Sequence, residues 1–441
     1  MMRFLSDTTY VPDNNFELVL IDLGYDNVLD DYVLTANINA VEILEISSKG
    51  IIDLTGIEDF TALTSINCEY NSLNSLNVSR NTSLIFLDCH HNNLSSLDIS
   101  KNTELEYLHC DNNYINSLDV SSNIALLTLN CFNNSLSSLV LSKNTALSSL
   151  LCYSNSLSSL DLSKNSALLF LNCDDNNLSN LDVSSNSALT LLACADNSIT
   201  SLGVSSNPAL TYLACGYNNL SSLDISSNID LTQLYCYENS LSKLDVSSNP
   251  ALTYLACDAN SLSSLDVRRN IELITLTCYN NNLSNLDVSK NSVLIQLSCG
   301  INNLSSLNVR NGNNMNFTFF DAMYSPDLYC IEVDDPAWST NNWTFIDPQS
   351  YFSDYCDPLN VDEKDELSSI SVYPSPTSGE ITIILNNLQL NFVKVFGING
   401  ELLLESTRPV INLEYLQPGL YIIQIDTNKG SINKKIVKRN R

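Results

Sequence analysis

One 21-residue unit, repeated twelve times without an insertion, restricts this chain to a narrow set of architectures. Its marker is a cysteine at the same place in every copy, from Cys68, Cys89, Cys110 and Cys131 through Cys278 and Cys299, each with an asparagine three residues later. A fixed period of this size is the mark of a solenoid, in which a short unit buries its apolar edge only against the next unit. The apolar columns Leu84, Leu87, Cys89, Asn92, Leu94, Leu97, Ile99, Ser100 and Asn102 return as Leu294, Leu297, Cys299, Asn302, Leu304, Leu307 and Val309. In Leu87-Asp88-Cys89-His90 apolar and polar side chains alternate, which is the pattern of a strand, so stacked copies predict a parallel sheet. The asparagine falls where the chain turns, and its amide can pair with backbone groups of its own and the neighbouring coil. The second half of each unit, Leu94-x-x-Leu97-x-Ile99, repeats the spacing of the first and carries no helical pattern. Extended chain on both faces, and hence weak curvature, is expected.

The unit L-x-x-L-x-C-x-x-N-x-L resembles the leucine-rich repeat family, with cysteine in a column where that family usually has leucine. Ahead of it, Leu44, Ile46, Ile51, Leu54, Ile57, Phe60 and Leu63 lead to Ile66 and Cys68 in one 22-residue coil similar to the first coil of internalin-like repeats. The fold class is therefore mainly β, with the solenoid spanning residues 44–310. Open solenoid ends need covers. Within residues 1–43, Asp13-Asn14-Asn15 before the apolar stripe from Phe16 to Leu23 predicts a short capped helix. Residues 311–357, which include Phe317, Phe319, Phe320, Trp338 and Trp343, predict the other cover. The twelve in-register cysteines are expected to be free and buried as small hydrophobes. Their parallel Cβ vectors oppose disulfides, and no C-x-x-C clustering suggests zinc.

A short acidic linker, 358–367, precedes strand-like runs such as Ile381-Thr382-Ile383-Ile384-Leu385 and Tyr421-Ile422-Ile423-Gln424-Ile425, with turn signals at Asn399-Gly400 and Pro418-Gly419. A small antiparallel β-sandwich is expected over 368–441. Ile370-Ser371-Val372-Tyr373-Pro374-Ser375-Pro376-Thr377-Ser378-Gly379, Leu416-Gln417-Pro418-Gly419-Leu420-Tyr421 and Lys434-Lys435-Ile436-Val437-Lys438 make this region resemble the C-terminal sorting domain of Bacteroidetes type IX secretion cargo. Ser375 replaces the usual Asn, and Gly397 a common acidic residue. The resemblance implies the type IX machinery as a partner, a secreted or outer-surface location, and removal of the domain on release or attachment to surface lipopolysaccharide. It also implies a leader peptide; Met1-Met2-Arg3-Phe4-Leu5-Ser6-Asp7 has no apolar core, so such a leader is expected to precede the sequence as given. The oxidising compartment so implied predicts a Cys330–Cys356 disulfide in the end cover. No apolar run approaches 18 residues, and no membrane span is expected.

The chain carries −29 net charges; residues 368–441 hold eight Lys/Arg and five Asp/Glu, so residues 1–367 carry −32. Such a surface repels nucleic acid and anionic lipid. In the windows from four residues before to two after each repeat cysteine there is no Lys or Arg, but there are twelve aromatics. Phe86, Tyr107, Phe132, Tyr153, Tyr212, Tyr235, Tyr237, Tyr254 and Tyr279 are the candidate ligand-binding residues, densest at Tyr212, Tyr235, Tyr237 and Tyr254. Outward aromatics among acids suit stacking on a glycan or packing against a basic protein segment. The alternative is a passive structural surface protein without a specific ligand, its tyrosines reflecting strand propensity. On the other half, an aspartate column that includes Asp224, Asp245, Asp266 and Asp287 offers a weak calcium hypothesis against the simpler one of local hydrogen bonds. His90, His91 and His109 cluster and are expected to be a solvated surface group more than a metal site. No nucleophile, metalloprotease or phosphate-loop motif appears, so no enzyme activity and no cofactor are expected.

Overall fold

The alternating run ahead of each cysteine forms a three-residue strand, and these twelve, from Ser65–Asn67 to Gln296–Ser298, stack with Ile43–Glu45 before them and Phe319–Asp321 after them in one fourteen-stranded sheet in a computed structural model of the chain. Residues 7–356, 370–386 and 388–439 are described; Met1–Ser6 and the expected linker, 358–367, lie outside them. Neighbouring strands are parallel and in register, Leu87 opposite Leu108 and Leu213 opposite Leu234, so each leucine column stacks on itself. The strand leucines and the cysteines are fully buried, and the leucine column of the second face, as at Leu97, is nearly so. The twelve ladder cysteines are free. Burial pushes their thiols up, Cys152 to about 12, which keeps them protonated and inert.

Two asparagine ladders hold the rungs together. Beside each cysteine, an amide such as that of Asn197 donates to the Cys173 carbonyl of the rung before (3.0 Å) and to the carbonyls of Cys194 and Ala195 (3.3 and 3.0 Å), while its oxygen accepts from the Leu178 N–H at 2.9 Å. Among the described residues the Leu178 N–H has no other acceptor, while the three carbonyls are shared with donors from Asn176, Asn218 and the Asp175 N–H. The second ladder runs from Asn81 to Asn291 at the far turn. Asn186, for example, donates to the carbonyls of Leu162 (3.2 Å) and Asn165 (2.8 Å). The Oδ1 atoms of this ladder are buried and meet no donor among the described residues. The second face is extended, but it pairs as a sheet only over Asn285–Asp287, Ser306–Asn308, Cys330–Glu332 and Tyr351–Ser353. In earlier rungs asparagine side chains bind neighbouring coils where that backbone ladder is missing.

The first helix, Asn14–Asp22, begins at Asp13, whose Oδ1 accepts from the N–H groups of Asn15 and Phe16. The other oxygen of Asp13 accepts from Ile52 and Asp53 at 2.7 and 3.0 Å, fastening the cap to the first coil. At the opposite end Trp343 stacks on Phe320 with ring centroids 4.1 Å apart and meets Phe352 edge-on at 5.7 Å. Cys330 and Cys356 are disulfide-bonded. The chain divides into two compact units, Met1–Tyr355 and Cys356–Arg441. In the second, Ser371–Tyr373, Glu380–Ile384 and Val410–Asn412 form one antiparallel sheet, and Leu390–Phe396, Leu402–Ser406, Gly419–Thr427 and Gly430–Lys438 another. Ile381, Ile383, Val393, Val395, Ile423, Ile425 and Ile436 form its core. Gly400 takes a φ of +82° in the Asn399-Gly400 turn, a conformation open to glycine at no steric cost.

Candidate recognition face

Three outward columns flank each cysteine: the residues three before it, one before it and one after it. Tyr212 and Tyr254 occupy the first column, Tyr235 the second and Tyr237 the third. Their rings meet across rungs. Tyr235 lies 5.4 Å from Tyr212 and 4.7 Å from Tyr254, the second pair stacked at 29°, and Tyr237 meets Tyr217 edge-on at 5.3 Å. Small neighbours make room for them. Tyr235 stands between Ala214 and Ala256 in its column, and a Cβ at Gly216 would fall 2.8 Å from the Tyr237 ring. Sequence reasoning passed over these small residues, although each lies 21 positions from a tyrosine it accommodates.

The remaining candidates fall into smaller groups. Phe132 stacks flat on Tyr153 at 4.2 Å, and Phe86 lies 6.4 Å from Tyr107 and 5.5 Å from His109. Tyr279 follows Asp258 one rung on, its N–H donating to that carboxylate at 2.9 Å. Expected to stand outward, these side chains are mostly half-buried, because each ring lies against the next rung. The acids among them are unusual. Asp174 is pushed up to about 6, chiefly by burial and further by Asp196 and Asp175, against a hydrogen bond from the Ala195 N–H at 2.6 Å. Burial also raises Asp258 and Asp111, whereas at Asp88 burial is outweighed by hydrogen bonds from His109 and His90, which leave it below the usual carboxylate range. Asp174 lies close enough to Tyr212 and Tyr237 to act on both phenols.

On the other half, the aspartates cap turns. Asp224 accepts from Ser226 N–H at 3.0 Å and Asp245 and Asp287 from Ser247 and Ser289 at 2.9 Å, while Asp266 forms a two-point pair with Arg268. Hydrogen bonds from Arg268 hold Asp266 at about 2. Among the described residues, this column gathers no three ligand atoms within 4.8 Å.

Residues 371–439 match the secretion system C-terminal sorting domain family. Solved structures align with 63–98% of the chain. The functional domain of InlJ from Listeria monocytogenes, which includes a cysteine ladder, is 26% identical with a TM-score of 0.68 over 98% of this chain and 99% of that one. An internalin, inlF, from the same species is 18% identical (TM-score 0.59, 79% of this chain, 96% of that one), and a leucine-rich repeat protein of Leptospira interrogans is 20% identical (0.54, 63% and 76%); these two share the fold alone. Among curated proteins, the ulvan lyase NLR42 of Nonlabens ulvanivorans is 30% identical over 92 residues, which span 20% of this chain and 17% of that protein. Among the described residues no helix is long and apolar enough to cross a membrane. The sorting domain assigns the chain to type IX secretion, to the cell surface or the medium. The chain is thus a leucine-rich repeat protein of internalin-like architecture, with a cysteine ladder in its solenoid and a secretion sorting domain over residues 371–439.

Proposed function

We propose that this protein is a secreted or surface-displayed recognition module that binds a basic protein segment on its strand face, centred on Tyr212, Tyr235, Tyr237 and Tyr254. The observation that carries the reading is the contact of three of these rings across three successive rungs, over alanine and glycine, beside Asp174 and Asp258 and without a cation in the strand windows. Tyr235 lies against both neighbouring rings, at 40° to Tyr212 and 29° to Tyr254, so part of this aromatic surface is already covered and hydroxyls and ring edges are prominent in what a partner meets. That suits a peptide with basic side chains better than a flat sugar ring, which needs an open aromatic face. Carboxylates at the rim would steer such a partner and fix its register. The stretch shared with the lyase covers a fifth of this chain and gives no support to catalysis here.

The test is a surface-protein and glycan-array binding screen with the full chain and a variant in which Tyr212, Tyr235, Tyr237 and Tyr254 are all Ser. Salt-sensitive capture of basic protein segments, weakened by about 100-fold or more in the variant, is the expected outcome, since central aromatic anchors commonly contribute 2 kcal/mol or more each. Capture of neutral glycans alone would transfer the same face to a sugar ligand. If neither protein binds anything, with folding verified by circular dichroism, the passive structural role stands instead.

A further inference from the structure

All three histidines of the chain stand on two adjacent rungs, and two of them face the same buried carboxylate. His90 Nδ1 lies 2.5 Å from Asp88 Oδ1, and its Nε2 lies 3.1 Å from Glu69 Oε2 on the rung before. From the rung after, His109 Nδ1 reaches Asp88 Oδ2 at 3.2 Å. The Asp88 side chain is only 8% exposed, and those of Glu69, His90 and His109 are 17–26% exposed, so the group is sheltered but reachable from solvent. One ligand atom each from Glu69, Asp88 and His90 lies within 4.8 Å of the other two. Phe86 packs edge-on against His109, and Tyr70 against His90, walling the group with rings.

We propose that Glu69, Asp88 and His90, with His109 as a fourth donor, bind a divalent transition-metal ion of the zinc class. Imidazole beside carboxylate selects such an ion over calcium, which takes oxygen ligands. Zinc holds nitrogen and oxygen donors at roughly 2.0–2.2 Å, which sets neighbouring donors roughly 3.3 Å apart around a tetrahedron. The Glu69–His90 and Asp88–His109 pairs already stand near that separation. His90 would give Nε2 to the ion beside Glu69 and keep Nδ1 hydrogen-bonded to Asp88 Oδ1, which fixes the ring's orientation, while Asp88 offers its other oxygen, Oδ2, which His109 already faces. The ion also brings positive charge to two closely placed carboxylates. The ladder thiols of Cys68, Cys89 and Cys110 do not compete, because they are fully buried on the inner side of the sheet. The inference does not depend on the tyrosine patch.

Calorimetric titration of Zn²⁺ into the untagged full chain should show one ion per chain. Binding should weaken at least tenfold in Glu69→Gln and in His90→Gln, and should be unchanged in His91→Gln, since His91 stacks on Tyr70 and lies outside the ligand group. Glu69→Gln keeps the shape of the side chain, so it decides the question if His90→Gln fails to fold. In the wild type Zn²⁺ should raise the melting temperature, and in Glu69→Gln that rise should shrink. No zinc uptake by the folded wild type, or equal affinity in wild type and Glu69→Gln, overturns the site and leaves a hydrogen-bonded imidazole–carboxylate chain.

Discussion

Asp174 illustrates how the next rung sets a residue's chemistry. Its ordinary value of 3.8 applies to the unfolded chain, and in the fold burial raises it to about 6. Between these values the folded protein holds a proton that the unfolded chain has lost, so the contribution of this one group to stability is greatest below pH 3.8 and is lost as pH rises through about 6. Asparagine keeps an oxygen for the Ala195 N–H and carries no charge. Asp174→Asn should therefore match the wild type at pH 4 and exceed it at pH 7 by about 2 kcal/mol, after allowance for partial exposure; denaturant midpoints at the two pH values test this. From sequence, Asp174 was legible as an outward acid but not as a raised one, because its environment comes from Ala195 and Asp196, one period away. The same distance hid the Glu69–His90 contact, although the histidines were legible as a cluster on adjacent coils near Asp88. Stepping by 21 from Glu69 gives His90, and from Asp88 gives His109, so register arithmetic carries a signal that local motifs do not.

At the scale of the element, the leucine and cysteine columns and the first asparagine ladder were legible because a strand allows one inward register, and a slip of one residue would turn every leucine to solvent. The turn after each strand was less so. The residue two past each cysteine adopts a positive φ of about 50°, natural for Asn112, Asn133 and Asn280, but also imposed on Tyr217 and the β-branched Ile301. Stacking of neighbouring coils overrides local preference there, and composition cannot show that. The second face likewise looked as strand-like as the first, yet it forms a sheet only near the C-terminal cap. The cysteine column yields a direct prediction. A thiol reagent should modify none of the twelve ladder cysteines in the folded chain and all of them after denaturation, since each is buried and protonated. Labelling of even a few in native buffer would show that rungs open locally.

Over the solenoid as a whole, each rung touches only its neighbours, so the ends govern stability. Both tryptophans lie in the C-terminal cap, at positions 338 and 343. The disulfide closes a loop of roughly 25 residues there, and its loss should cost about 3 kcal/mol. With Cys330 and Cys356 both changed to Ser, tryptophan fluorescence should change at lower denaturant than the far-ultraviolet dichroism of the solenoid; coincident transitions would show that the cap and the repeats unfold as one. The two asparagine ladders add something further. Their long-range Nδ2 donors reach back to the preceding coil, as Asn197 does to Cys173 and Asn186 to Asn165. Each junction between rungs therefore holds hydrogen bonds that no isolated rung can make, so a rung gains its full set of partners only inside a stack.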